Sequence, residues 1–169
     1  MKRLFEMMGR RRRFARNDRG TQLVELAIAL PVLLSLFAVT AEMGRLFYTD
    51  TTLTKATRLA VRYMTTVPLN TDAKRTLYYA NARNLAVYGT TTPASNARPI
   101  ISGLTTNNVV VSQSGGISII PLTVTVQITG MTFHPLINLG GVIHNSSFSL
   151  NVPLTPSTTM RYLITQPIN

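Results

Sequence analysis

The sequence predicts an α+β chain: one long N-terminal helix, a second shorter helix, and a small antiparallel β-sheet head. Three observations predict it. Leu23–Ala41 is a stretch of 19 residues whose one charge is Glu25, and apolar positions continue at helical spacing to about Thr66. Residues 70–88 hold a second helical segment with a capping residue before it and a glycine after it. From residue 107 onward, apolar and polar residues alternate in short runs punctuated by glycine and proline, the period of half-buried strands.

Composition narrows the function classes. The chain has 169 residues, of which 45% are apolar, so it is not a disordered polar tail. The absence of cysteine excludes a disulfide framework, a thiol nucleophile and cysteine-held zinc or iron–sulfur centres. The six carboxylates are Glu6, Asp18, Glu25, Glu42, Asp50 and Asp72, and none follows. Hydrolysis by carboxylates, carboxylate-bound metals and magnesium-dependent phosphoryl transfer all need positioned Asp or Glu. Such a site would have to come from the first 72 residues, which read as a charged leader and a long helix. The expectation is a protein that is not an enzyme.

Charge is unevenly placed. The formal net charge is +11, yet residues 1–20 hold eight bases (Lys2, Arg3, Arg10, Arg11, Arg12, Arg13, Arg16 and Arg19) against Glu6 and Asp18. The run Leu26–Ala41, LAIALPVLLSLFAVTA, then has no charge in 16 residues. Roughly 20 apolar residues span a bilayer as a helix. Lys/Arg-rich flanks stay cytoplasmic, so the N-terminus is expected inside and the chain after Ala41 exported. A topogenic role for Arg10–Arg13 and Arg19 outweighs a nucleic-acid role beside such a segment, and no nucleic-acid partner is expected.

Two export readings compete. In one, a secretory signal is removed after Val39-Thr40-Ala41, which resembles a small-residue cleavage site, and Glu42 becomes the first residue. In the other, only the basic leader is cut away and the apolar helix is kept. The long basic region ending in Arg19-Gly20, the acidic Glu25 at the edge of the apolar run, and the helical pattern beyond Ala41 favour the second. A carboxylate at bilayer depth costs about 2.5–3.5 kcal/mol on insertion scales and tends to have a functional partner.

Arg19-Gly20-Thr21-Gln22-Leu23-Val24-Glu25-Leu26-Ala27, followed by Leu30-Pro31-Val32-Leu33-Leu34, resembles the N-terminal signature of TadE-like proteins, minor pilin-like components of the bacterial Tad (tight adherence, Flp) pilus system. Leu26 stands where that pattern more often has Phe. The resemblance implies a pilin-like fold and cleavage between Gly20 and Thr21 by a prepilin peptidase. Glu25, fifth in the mature chain, would then pair with the new α-amino group of a neighbouring subunit. It implies no cofactor. The implied partners are the major Flp pilin, other minor pilins (TadF- or TadG-like), the prepilin peptidase and the inner-membrane Tad platform. The implied location is the inner membrane, single-pass, with a periplasmic head that can enter the extracellular pilus.

The domain plan follows: a cleaved leader over 1–20, a transmembrane segment over 21–41, an amphipathic stalk over 42–67 continuing the same helix, and an α+β head over 70–169. Pro31 removes one backbone hydrogen bond inside the membrane half. Met43, Leu46, Phe47, Leu53, Ala56, Ala60, Tyr63, Met64 and Val67 give the apolar face of the stalk, and Lys55, Arg58 and Arg62 a basic stripe. Glu42 and Arg45 are i, i+3 neighbours. In the second helix Asn70 or Thr71 caps the start, Ala73, Leu77, Ala80 and Val87 are expected to face inward, Tyr78, Tyr79 and Tyr88 to pack on the next layer, and Gly89 to end it.

Strands are expected over Asn107–Gln113, over Leu122–Thr129 with Leu122, Val124, Val126 and Ile128 inward, over 146–152 with Phe148, Leu150 and Val152 on one face, and over Thr158–Ile164. A break is expected at Ile120-Pro121, and loops at Ser114-Gly115-Gly116 and Gly140-Gly141. The stretches Leu122–Val126, Leu139-Gly140-Gly141 and Thr158–Arg161 weakly echo the closing pattern of TadE-like proteins. His134 and His144 lack neighbouring acids or cysteines, and a metal needs three or four ligands, so no metal site is expected. Asn145-Ser146-Ser147 matches a glycosylation pattern that is common by chance.

Overall fold

A computed structural model describes residues 18–69, 71–116, 120–136 and 151–164. Among the described residues the architecture is α+β: two α-helices and five short antiparallel strands. The described residues fall into two compact units, one ending at Ala41 and one beginning at Glu42.

The first helix, α1, covers Asp18–Thr66 and runs unbroken through Pro31. It is helical from the first described residue, three before the expected Thr21, and ends at the expected Thr66, before Pro68. Proline has no N–H to donate to the carbonyl four residues back, a loss that a long helix tolerates when its neighbours on the ladder hold. The Ser35 hydroxyl donates to the Pro31 carbonyl at 2.8 Å, and the Thr40 hydroxyl to the Leu36 carbonyl at 2.9 Å. Both hydroxyls in the apolar run are thereby satisfied within the helix itself, as an environment without water requires.

In the second unit the helix is not a free stalk. Leu53, Ala56, Ala60, Val61 and Met64 are buried, and all but Ala56 belong to the same core cluster as the sheet residues. Thr57 and Thr65, polar positions not expected inside, are buried on this face as well. The Thr57 hydroxyl meets Thr54 carbonyl and Thr158 hydroxyl at 2.9 Å each. Small polar side chains with a helical carbonyl in reach can be buried without an orphaned hydroxyl, which is why hydropathy alone misplaced them. Phe47, by contrast, is exposed although its spacing suggested the apolar face.

The second helix, α2, covers Asp72–Tyr88. Thr71 caps it with its side chain accepting from the Lys74 N–H, and Gly89 closes it at φ +73°, a left-handed conformation that glycine adopts without strain. Its buried residues are Ala82, Ala86 and Val87, so the inward face is rotated from the expected one: Ala73, Leu77 and Ala80 point outward. Alanines four apart let the helix approach the sheet closely, while Tyr78, Tyr79 and Tyr88 supply the larger apolar area against the core. Tyr63 and Tyr78 meet edge to face with ring centroids 6.3 Å apart.

Three strands form the main sheet in the order β1-β2-β5: Val109–Ser114, Thr123–Ile128 and Ser157–Arg161. A single 3-10 turn, Thr106–Asn108, leads into β1. Pairing sets Val111 opposite Val126 and Val126 opposite Thr158, with Gln113, Val124 and Met160 in the next row. Val109, Val111, Val124, Val126 and Ile128 are buried on the helix-facing side, and the other side carries Thr125 and Thr159, whose hydroxyls meet at 2.7 Å. The alternation expected for residues 124–128 holds, but Leu122 is half exposed and lies before the strand. Tyr162 and Ile164 continue the inward side past β5.

The remaining pair, β3 (Met131–Phe133) and β4 (Val152–Leu154), forms a separate two-stranded sheet. β3 was not foreseen, since three residues are too few to show a period. The expected strand over 146–152 overlaps the described residues at Asn151 and Val152, of which Val152 begins β4; Phe148, Leu150, the loop at Gly140-Gly141, His144 and Asn145 lie outside the described residues, as does the leader with Arg10–Arg13.

Candidate assembly segment

Gly20 and Thr21 are helical and lie among the first described residues of α1.

Glu25 lies one turn further in and is exposed. Among the described residues no hydrogen bond or ion pair reaches its carboxylate. Glu25, Ile28, Ala29, Val32 and Leu33 fall at i, i+3, i+4, i+7 and i+8 and share one shallow face. The acid thus heads an apolar stripe. Leu26 and Pro31 are exposed too, and the exposure is not confined to one side. From Leu23 to Phe37 every large apolar side chain is exposed, Phe37 at 73%. None of the most apolar window of this helix is buried. A soluble monomer rarely shows a contiguous apolar patch above a few hundred Å². A core helix of a soluble protein passes the same length and hydropathy test but is buried on one or more faces, and this one is not.

The arrangement after Ala41 is different. Glu42 is the first charged residue after the apolar run, and it is only 3% exposed. Its carboxylate takes the Arg45 guanidinium at 2.6 Å on one oxygen and the Leu136 backbone N–H at 2.9 Å on the other. Arg45 lies over the Phe133 ring, 5.2 Å from its centroid, which adds a cation–π contact to the ion pair. The i, i+3 pair noted in the sequence therefore does more than brace the helix: it fastens the segment after β3 to the helix base. No sequence signal pointed to Leu136 or Phe133, because both contacts join residues about ninety positions apart.

The basic stripe of Lys55, Arg58 and Arg62 is exposed, on the side of α1 opposite its buried residues. His134 bonds Asn151 through Nδ1 at 3.2 Å and has no acidic or histidine cluster around it among the described residues.

A helix long and apolar enough to cross a membrane, continuous in sequence with a small α+β head, defines the class: a candidate single-span protein. The family model of TadE-like proteins matches residues 20–62, which hold Gly20, Glu25, the apolar stripe and all but the last four residues of α1 in the head. This is the family whose signature the sequence resembles, and the match covers 43 of the 169 residues. The match ends before α2 and the sheet. No curated protein and no solved structure matches the chain.

Proposed function

We propose that this chain is a minor pilin-like (pseudopilin) subunit of a Tad pilus, needed for assembly and adhesion, and that it works without catalysis. The observation that carries the reading is the helix segment from Leu23 to Phe37: its large apolar side chains are exposed on all sides, and it holds one acid, Glu25, that has no partner among the described residues, inside a match to TadE-like proteins. Such a helix needs lipid or other helices around it. A carboxylate near its start needs a cation, and cleavage after Gly20 would create one, the α-amino group at Thr21 of an adjoining subunit. That pairing offsets two charges in a medium where either alone is costly. Subunits would then pack through Leu23–Ala41 with Glu25 setting their axial register, while the leader holding Arg10–Arg13 and Arg19 keeps the precursor's N-terminus in the cytoplasm. The membrane platform, the prepilin peptidase, the major Flp pilin and other minor pilins are the partners this role requires.

The intact mass of the mature protein tests it. Loss of residues 1–20, abolished by replacing Gly20 with a larger residue, is the expected result. Loss of residues 1–41 would overturn it in favour of a secreted soluble domain, the reading that Val39-Thr40-Ala41 and the unit starting at Glu42 would support. An uncut chain would leave a single-span membrane protein outside any pilus. Glu25→Ala should still be cut but assemble fewer pili, counted by electron microscopy; wild-type numbers would remove the register role.

A further inference from the structure

We infer that the outward side of α1 in the head is the docking surface for an acidic helix of a different protein, with Lys55, Arg58 and Arg62 taking its carboxylates. The inference uses only the part of α1 beyond Glu42 and does not rest on cleavage or on a spanning helix. From Glu42 onward the chain has nine Lys or Arg against three Asp or Glu. Two of those acids are already taken, Glu42 by Arg45 and Asp72 by Arg75. The third, Asp50, is five residues before Lys55, about 140° round the helix from it. Lys55, Arg58 and Arg62 are exposed, and no ion pair or side-chain hydrogen bond reaches them among the described residues. Like charges one turn apart on a helix repel. α1 therefore holds a self-repelling stripe whose counter-charge the described residues do not supply.

Three observations favour a protein helix as the occupant. Leu59 stands four residues after Lys55 and three before Arg62 and is 46% exposed, so an aliphatic group lies between the two cations. Tyr48, 68% exposed, precedes Lys55 by seven residues. Tyr48, Thr52, Lys55, Leu59 and Arg62 are thus spaced by four, three, four and three residues, the 3.5-residue repeat along which two helices pack. A lipid headgroup or a nucleic-acid phosphate would use the cations and leave Leu59 and Tyr48 in water. An acidic helix with carboxylates one heptad apart, and a small or aliphatic residue between them, answers both, since seven residues rise about 10.5 Å on either helix. A second copy of this chain does not fit. It would bring the same cations, and beyond Ala41 its α1 offers only Glu42 and Asp50, eight apart and the first already paired. Complementary charges across such a seam select the partner and suppress wrong ones.

Site-specific photocross-linking tests this in the cells that make the protein. The full chain would carry p-benzoyl-phenylalanine in place of Leu59 or, as a control on the outer side of the sheet, in place of the exposed Val110. Ultraviolet light should join the Leu59 position, and not the Val110 position, to one other protein. Mass spectrometry of the joined peptide should show Asp or Glu at two places seven residues apart. Lys55→Glu with Arg62→Glu should lower the yield about tenfold, and Lys55→Arg with Arg62→Lys should keep it. Exchanging the partner's two acids for lysine should restore the yield of the charge-reversed chain, which a misfolded head would not allow. Adducts with lipid or nucleic acid alone, with a second copy alone, or with a peptide lacking those acids would overturn the docking surface, as would no adduct or an unchanged yield after charge reversal. Cleavage at Gly20 is read separately from the intact mass, so the pilus reading and this interface fail independently.

Discussion

Tyr162 shows what one side chain contributes to this head. It is buried, and its hydroxyl donates to the Val67 carbonyl at 2.7 Å while accepting from the Leu69 N–H at 3.1 Å. Both partners lie in the connection between α1 and α2, where Pro68 interrupts regular bonding. Tyr162→Phe keeps the ring but leaves a buried donor and acceptor unpaired, each worth about 1–3 kcal/mol. The expected result is a lower urea midpoint for the full chain in detergent; an unchanged midpoint would mean water replaces the hydroxyl. Tyr79 makes a pH-dependent contribution. Burial pushes its phenol above the ordinary 10.0, while the charges of Arg75 and Arg83 pull it down. The folded state thus holds this proton more tightly than the unfolded chain. That contribution is complete below the unfolded value and is lost as pH rises through the folded one. Tyr79→Phe should therefore flatten the loss of stability on the alkaline side, read from urea midpoints across that range, and an identical slope would contradict it.

At the scale of elements, the end of α2 gives the cleanest case. Gly89 sits at φ +73°, and its N–H bonds the Leu85 carbonyl to close the helix. No atom would obstruct a Cβ there, so the effect of Gly89→Ala is purely conformational. A left-handed alanine costs roughly 1–2 kcal/mol, and thermal unfolding should show a lower midpoint without a change in packing. This cap was legible in the sequence because glycine after a periodic run has one dominant cause. The β1, β2 and β5 cores were legible for a similar reason: Val124, Val126 and Ile128 alternate strictly with Thr125 and Gln127. The inward face of α2 was not, since Ala73 and Ala80 carry too little apolar area to decide which side is buried, and the tyrosines decide it instead. β3 and the Glu42–Leu136 bond were beyond reach, being fixed by pairing across long sequence separations. Within the assembly segment, spacing located Gly20, Glu25 and the apolar run, while the exposure of the run on all sides came from the structure.

At the scale of the whole molecule, the proposed membrane orientation rests on a balance of charges on either side of one helix. Within 20 residues of the Leu23–Ala41 stretch, the N-terminal side carries seven Lys or Arg and the C-terminal side three, namely Arg45, Lys55 and Arg58. This counting window is the one over which the positive-inside bias acts. Replacing Arg10, Arg11, Arg12 and Arg13 by alanine leaves three against three, so the bias disappears while the helix and head are untouched. The expected outcome is a mixed population, with a fraction of heads retained in the cytoplasm. Protease added outside spheroplasts would digest the exported heads and spare the rest, and the spared fraction should rise well above that of the unaltered chain. Retained precursors should also stay uncut if the peptidase acts only on correctly oriented chains, so the spared and the full-length fractions should rise together. Complete export with normal processing would show that the arginine run has no topogenic role, and that the apolar helix and the folding head set the orientation by themselves.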